Sequence, residues 1–352
     1  MEDTGKRYAA AQLKAWAVAA MERAGVPAEN AETVANSLMA ANLRGVDTHG
    51  ITRLPIYVER VQAGLTNGKT TGQIITEGPT TAVLDGQDGM GQVIGTRGMR
   101  TAISKAREAG TGFVAVRNST HYGTAAYYAM MALPEDMIGI SFTNSPSLMA
   151  PWGGKRPFFG TNPLAIAVPA GEEKPFVLDM ATSVVARGAI ILAAKKGEPI
   201  PPTWAMNAEG ESTTDAKAAN EGGALLPLGG HKGFGLAMAI EIFVATLAGG
   251  PFGTQLGELY NNPDKPQGVG HFFGAMRIDR FRPVADFKAN MDQMIREVKA
   301  QPLGKGFDRI LVAGEPEYFT EAERKEKGIP LSDAVVKDLK KMGEAVGVPF
   351  EE

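Results

Sequence analysis

The chain contains no cysteine among its 352 residues. That excludes disulfides, cysteine-ligated zinc, iron–sulfur clusters and thiol nucleophiles, and it fits a reducing cytosol, so a cytoplasmic location is expected. No stretch approaches the roughly 20 apolar residues that a membrane-spanning helix needs, and the opening residues lack the pattern of a secretory signal. A net charge of −3 offers no basic field to nucleic acid or to an anionic membrane. Histidine is scarce, with four in the chain. They form no His-x-x-x-His pair and have no carboxylate cluster beside them, so no metal site is expected.

Several signatures are also missing. There is no Gly-x-Ser-x-Gly elbow for a serine hydrolase. The stretch Leu228-Gly-Gly-His-Lys-Gly-Phe-Gly235 is not a P-loop, because Gly233 stands where the hydroxyl should be. Asp85-Gly-Gln-Asp-Gly-Met-Gly91 follows a strand and opens a helix. However, three residues rather than two separate Gly91 from Gly95, and no acidic residue ends a second strand downstream. It reads as a structural turn, and no standard Rossmann unit is visible.

What the chain has in quantity is glycine, at 43 residues, the residue of tight turns and close backbone approaches. Apolar periodicity predicts helices over 8–24, 28–44 and about 52–63, with Pro55 tolerated in the first turn. Strands are expected at 81–85, 112–116, 137–143, 164–168, 175–178, 276–279 and 308–312. Helices are expected at 93–108, 183–196, 232–248 and 331–346, and a long loop at 251–270. Interleaved strands and helices predict an α/β layered core behind an N-terminal helical segment.

Four segments carry candidate chemistry. Arg44-Gly-Val-Asp-Thr-His-Gly-Ile-Thr-Arg53 sets His49 in a polar turn between two arginines. This suits binding an acid and moving a proton, although a loop histidine with solvated arginines fits the same residues. His121, in Asn118-Ser-Thr-His-Tyr-Gly123, follows the apolar strand at 112–116, at a strand's carboxyl end where α/β sheets bind ligands. Asp179 ends a strand just before Thr182 and Ser183, a geometry that holds a ribose or phosphate and serves equally as a helix cap. Lys232, within the glycine-rich 228–235 segment, places a cation near a helix N-terminus. His271 lies between apolar residues and reads as packed.

Together with Pro151-Trp-Gly-Gly, Gly160-Thr-Asn-Pro163 and Gly314-Glu315, these segments in this order resemble the malate/L-lactate dehydrogenase family of the second, non-Rossmann type. That family includes ureidoglycolate and sulfolactate dehydrogenases, diketogulonate reductases and a cyclic-imine carboxylate reductase. The resemblance runs from about residue 8 to 348. It implies a layered mixed β-sheet of the sulfolactate-dehydrogenase type, an NAD-dependent enzyme (NADP possible) and a homodimer. Residues 119–284 would form the cofactor part, and 1–118 with about 285–352 the substrate and dimerisation part. It places substrate and proton chemistry on His49, His121 and Arg53, with Arg44 and Thr48 beside the substrate. Cofactor contacts fall on Ser145, Asp179, Met180, Ala181, Lys232, Gly233, Gly314 and Glu315. Thr48 stands where many members carry serine, and Ala313 where proline is usual.

The reaction so implied is hydride transfer between nicotinamide and a small 2-hydroxy or 2-oxo acid. Arg53 would clamp the carboxylate, and either His49 or His121 would carry the proton, with His49 preferred. The alternatives are reduction of a cyclic imine or N-methyl amino acid carboxylate, and a non-catalytic nucleotide-binding homologue.

Overall fold

The computed structural model describes residues 5–260 and 264–351. The first four residues of the opening segment, and 261–263 of the expected 251–270 loop, lie outside them. In chain order the elements begin with β1 (Lys6–Tyr8), α1 (Ala10–Arg23), α2 (Ala28–Leu43) and α3 (Leu54–Gln62). Then follow β2 (Gln73–Glu77), β3 (Thr81–Asp85), α4 (Gly91–Ala109), β4 (Thr111–Ser119), α5 (Ala125–Ala129), β5 (Met137–Thr143), β6 (Leu164–Val168) and β7 (Phe176–Met180). The remainder is α6 (Arg187–Lys196), β8 (Ala205–Met206), α7 (Ala216–Asn220), β9 (Ala224–Leu225), α8 (His231–Glu241), β10 (Val269–Arg277), α9 (Val284–Lys299), α10 (Glu315–Lys327), β11 (Ile329–Leu331) and α11 (Asp333–Val346).

Seven strands form one mixed sheet in the order β2-β3-β4-β10-β5-β6-β7. Only β3 and β4 run parallel as neighbours; every other adjacent pair is antiparallel. Two antiparallel steps separate β4 from β5, and two more separate β5 from β7. The carboxyl ends of β4, β5 and β7 therefore share one edge of the sheet, which gathers the segments after residues 119, 143 and 180. Ligands in α/β sheets bind at that edge.

The two largest apolar clusters hold this frame. In one, Leu13, Met21, Val34, Leu38, Ile51 and Leu54 pack the N-terminal helices against α11. In the other, Ile94, Met99, Val114, Val116, Tyr128 and Phe273 seal α4 and α5 onto the sheet. The Gly89–Gly95 stretch is structural, as its spacing predicts. A Cβ on Gly91 would lie 2.3 Å from the Thr120 carbonyl oxygen, and one on Gly95 would lie 2.7 Å from the Tyr128 ring. Glycine is what lets α4 approach this closely.

Four sequence expectations change. The strand expected at 276–279 lies earlier, at Val269–Arg277, and takes His271 into the sheet. Residues 308–312 are not a strand: Leu311 and Val312 line a cleft instead. The helix expected from 183 begins at Arg187, so Thr182 and Ser183 cap nothing; Thr182 bonds back to the Thr161 carbonyl at 2.9 Å. Beyond Glu241, α8 continues as a π-helical turn through Thr246.

Candidate functional site

A cleft of about 460 Å³ opens at this sheet edge, within the usual range for small-molecule sites. Its walls come from the Arg44–His49 elbow, the turn into α5, β7 through Ala181, and the Leu311–Gly314 turn. Of the expected site residues, Arg44, His49, Asp179, Met180, Ala181 and Gly314 line it directly.

The elbow is held from below. Asn42 accepts the Ile51 N–H at 2.7 Å and donates to Asp47 at 2.6 Å, while Arg324 grips the Asp47 carboxylate at 2.7 and 2.9 Å. Two short 3₁₀ turns, Asp47–His49 and Ile51–Arg53, then present both His49 and Arg53. The Arg53 Nε–H donates to the Thr48 carbonyl at 2.6 Å, and its guanidinium meets the Tyr260 hydroxyl and ring.

His121 lies just outside the cleft lining but is stacked on His49, with ring centroids 5.4 Å apart. Its Nδ1 is 2.7 Å from the Tyr57 hydroxyl, and its backbone N–H donates to Gln267 at 3.0 Å. Burial lowers the His49 pKa to about 4, with the Arg53 charge adding to the shift. His121 is driven down by burial too, and further by His49, Arg53 and His271. Both imidazoles are therefore neutral at pH 7. His271 is packed within the sheet as expected, bonded to Thr143 at 2.8 Å and to Ser119 at 2.9 Å.

Asp179 opens onto the cleft, with protein close around its other sides. Burial pushes its carboxyl up to about 6, opposed by the Ala126 N–H, and Glu317 adds to the rise while Arg44 counters it. Arg44 lies on this side of the cleft rather than beside Arg53. It pairs with Glu321 at 3.4 Å and rests on the Tyr318 ring.

Thr48, Arg53, Ser145, Lys232, Gly233 and Glu315 do not line the cleft in the free chain. Ser145 Oγ accepts the N–H of Thr161, which does line it, at 3.0 Å. Gly233 packs against the Thr182 carbonyl, where a Cβ would come within 2.6 Å, so the N-terminus of α8 abuts the segment leaving β7. The Glu315 carboxylate is engaged by Lys299 at 2.6 Å and by the Val312 N–H at 2.9 Å; it braces the turn instead of facing a ligand. Gly314 has a φ of +95°, and a Cβ there would lie 3.0 Å from Val177, so the turn keeps glycine even with Ala313 before it.

Sequence reasoning passed over Tyr57, Gln267, Tyr260 and the Asp47–Arg324 brace. Only Tyr57 left a signal, being four residues after Arg53 and so on the same helical face. No group of three or more His, Asp or Glu residues placed to hold a metal ion occurs among the described residues.

A profile of the malate/L-lactate dehydrogenase family matches residues 8–340. The malate dehydrogenase of Pyrococcus abyssi is 44% identical over 96% of this chain and 94% of its own. The L-sulfolactate dehydrogenase of Methanocaldococcus jannaschii is 40% identical over 94% and 95%. The crystal structure of malate dehydrogenase from Entamoeba histolytica superposes with a TM-score of 0.93 at 36% identity, covering 99% of this chain and 100% of that one. The chain belongs to the malate/L-lactate dehydrogenase family.

Proposed function

We propose that the cleft binds NAD and that the enzyme oxidises or reduces a small dicarboxylic or sulfonated 2-hydroxy acid of the malate and sulfolactate kind. That the chain is a 2-hydroxy-acid oxidoreductase follows from its family and its relatives. The observation that carries the site assignment is the stack of His121 on His49, which lines the cleft, with Arg53 fixed beside them. An anionic substrate and a movable proton need that combination.

The donor set fits a dinucleotide. Asp179 offers a carboxylate to ribose hydroxyls, and the backbone from Leu178 to Ala181, along and just past the edge strand β7, lies beside it. Gly123 and Gly314 line the walls of the cleft. Lys232, in the first turn of α8, offers one cation to phosphate, while the Gly233 N–H is already bonded to the Leu228 carbonyl at 2.7 Å. Two carboxylates, Asp179 and Glu317, line the cleft, and its one cation, Arg44, is already paired with Glu321. An added 2′-phosphate meets repulsion there, which favours NAD over NADP. When bound, the nicotinamide supplies or accepts the hydride. The protein's own tasks are to hold the acid on Arg53 and to pass one proton at the His49–His121 pair.

We assign 119–284 to the cofactor and 1–118 with 285–352 to substrate and dimer contacts. The boundary at 118 falls inside β4, so these are functional parts of one sheet. A second copy of the chain is the proposed cover for α8 and its extension, whose Leu236, Met238, Ile242, Phe243 and Leu247 are 41–58% exposed. No helix among the described residues is long and apolar enough to cross a membrane, and we place the enzyme in the cytoplasm.

The test is an assay of oxaloacetate, sulfopyruvate, pyruvate and a cyclic imine carboxylate, each with NADH and with NADPH. The expected result is fastest turnover of an oxo acid bearing a second anionic group, with NADH. Turnover of the imine alone, or of nothing, contradicts the proposal.

A further inference from the structure

We infer that Tyr57 is a positioning residue that fixes His121 in one tautomer, with Nδ1 bare and the proton on Nε2, and thereby divides the work between the two histidines. The inference rests on the reading of His49 and His121 as the proton-handling pair.

Tyr57 is buried on α3, and its hydroxyl lies 2.7 Å from His121 Nδ1. Either atom can donate in that pair, so what else the buried hydroxyl can reach decides the direction. The Tyr57 oxygen has no other hydrogen-bond partner among the described residues. If the imidazole donated, the phenol O–H would be left buried without an acceptor, so it points at Nδ1. A neutral imidazole accepting at Nδ1 carries its proton at Nε2. Nε2 has no hydrogen-bond partner among the described residues, so it is left for the substrate.

His49 is placed differently. Its Nδ1 is 3.0 Å from the hydroxyl of Thr48, which is exposed and has no second donor among the described residues to fix its direction. His49 is free to hold its proton on Nδ1 and keep a lone pair on Nε2. In the oxidative direction His49 would take the substrate hydroxyl proton as the O–H electron pair becomes the second bond of the carbonyl, with a bound nicotinamide supplying the hydride acceptor. His121 donates its Nε2–H to the same oxygen throughout and neither gains nor loses a proton.

The test is nitrogen-15 NMR of the full-length protein labelled at its four histidines, at pH 8, with His121 assigned by His121→Gln. The expected spectrum shows His121 with a protonated, pyrrole-type Nε2 and a bare, pyridine-type Nδ1. Tyr57→Phe should bring up the Nδ1–H form of His121. A structural role alone would leave the tautomer unchanged. Finding Nδ1–H in the wild type, or identical ring shifts in Tyr57→Phe, overturns the inference. The readout needs no turnover, so an enzyme inactive on every acid would sink the proposed function while leaving the tautomer result to stand by itself.

Discussion

His49 gains its chemistry from where it is held. Between an arginine and a second imidazole it cannot take on charge cheaply, and burial lowers its pKa to about 4. A base works in its neutral form, so the sign is clear: activity survives acidification until pH approaches that value. For oxidation of the hydroxy acid, kcat/KM should stay level from pH 8 down to about 5 and fall only towards 4. A loss centred near 6.5, the unperturbed value, would show that His49 is not so placed. His49→Ala should lower kcat by about 10²–10⁴ with NADH affinity unchanged. Arg44, Thr48, His49 and Arg53 were legible in the sequence because they share one ten-residue segment. Tyr260 and Arg324 were not, since they reach the same elbow from more than 200 residues away, through contacts that no local pattern encodes.

Among the elements, α4 has the most direct hold on the site. It presents Gly91 to the backbone of Thr120 and His121, and Gly98 to the Phe273 ring, where added Cβ atoms would come within 2.3–2.6 Å. Both Gly91→Ala and Gly98→Ala should cost about 1–3 kcal/mol through overpacking, read as a lowered midpoint in urea. Only Gly91→Ala should also lower kcat, because it displaces the carbonyl of His121; equal kcat losses in both variants would refute that link. Elements with a strong apolar period, α1 to α4 and β3 to β7, were readable from sequence. α9 was missed because it buries only Met291, Asp292 and Ile295, and α10 because it buries only Glu315 and Arg324. α10 lacks an apolar stripe to read, whereas α9 has one, in Phe287, Met291, Ile295 and Val298, of which only Met291 and Ile295 are buried. The apolar run Ile310 to Val312 suggested a strand; two of its three residues face the cleft.

For the whole molecule, the sequence could not show that the ends of β4, β5 and β7 converge, because that depends on β10 inserting between β4 and β5 from 150 residues downstream. It also could not show that α8 keeps an apolar face uncovered in the single chain. A helix apolar all round is stable when covered all round. Sedimentation should therefore give twice the 37.2 kDa chain mass, and Met238→Lys should shift the species towards monomer; a wild-type monomer would contradict the second-copy assignment. The central claim is that Arg53, beside the paired histidines at the edge of the cleft, holds an anionic acid. Its most direct measurement is the steady-state kinetics of Arg53→Ala with oxaloacetate and NADH. Losing a charged hydrogen-bond partner worth about 1.5–3 kcal/mol should raise KM for the acid roughly 10- to 100-fold, with NADH affinity unchanged. An unaltered KM would contradict the account.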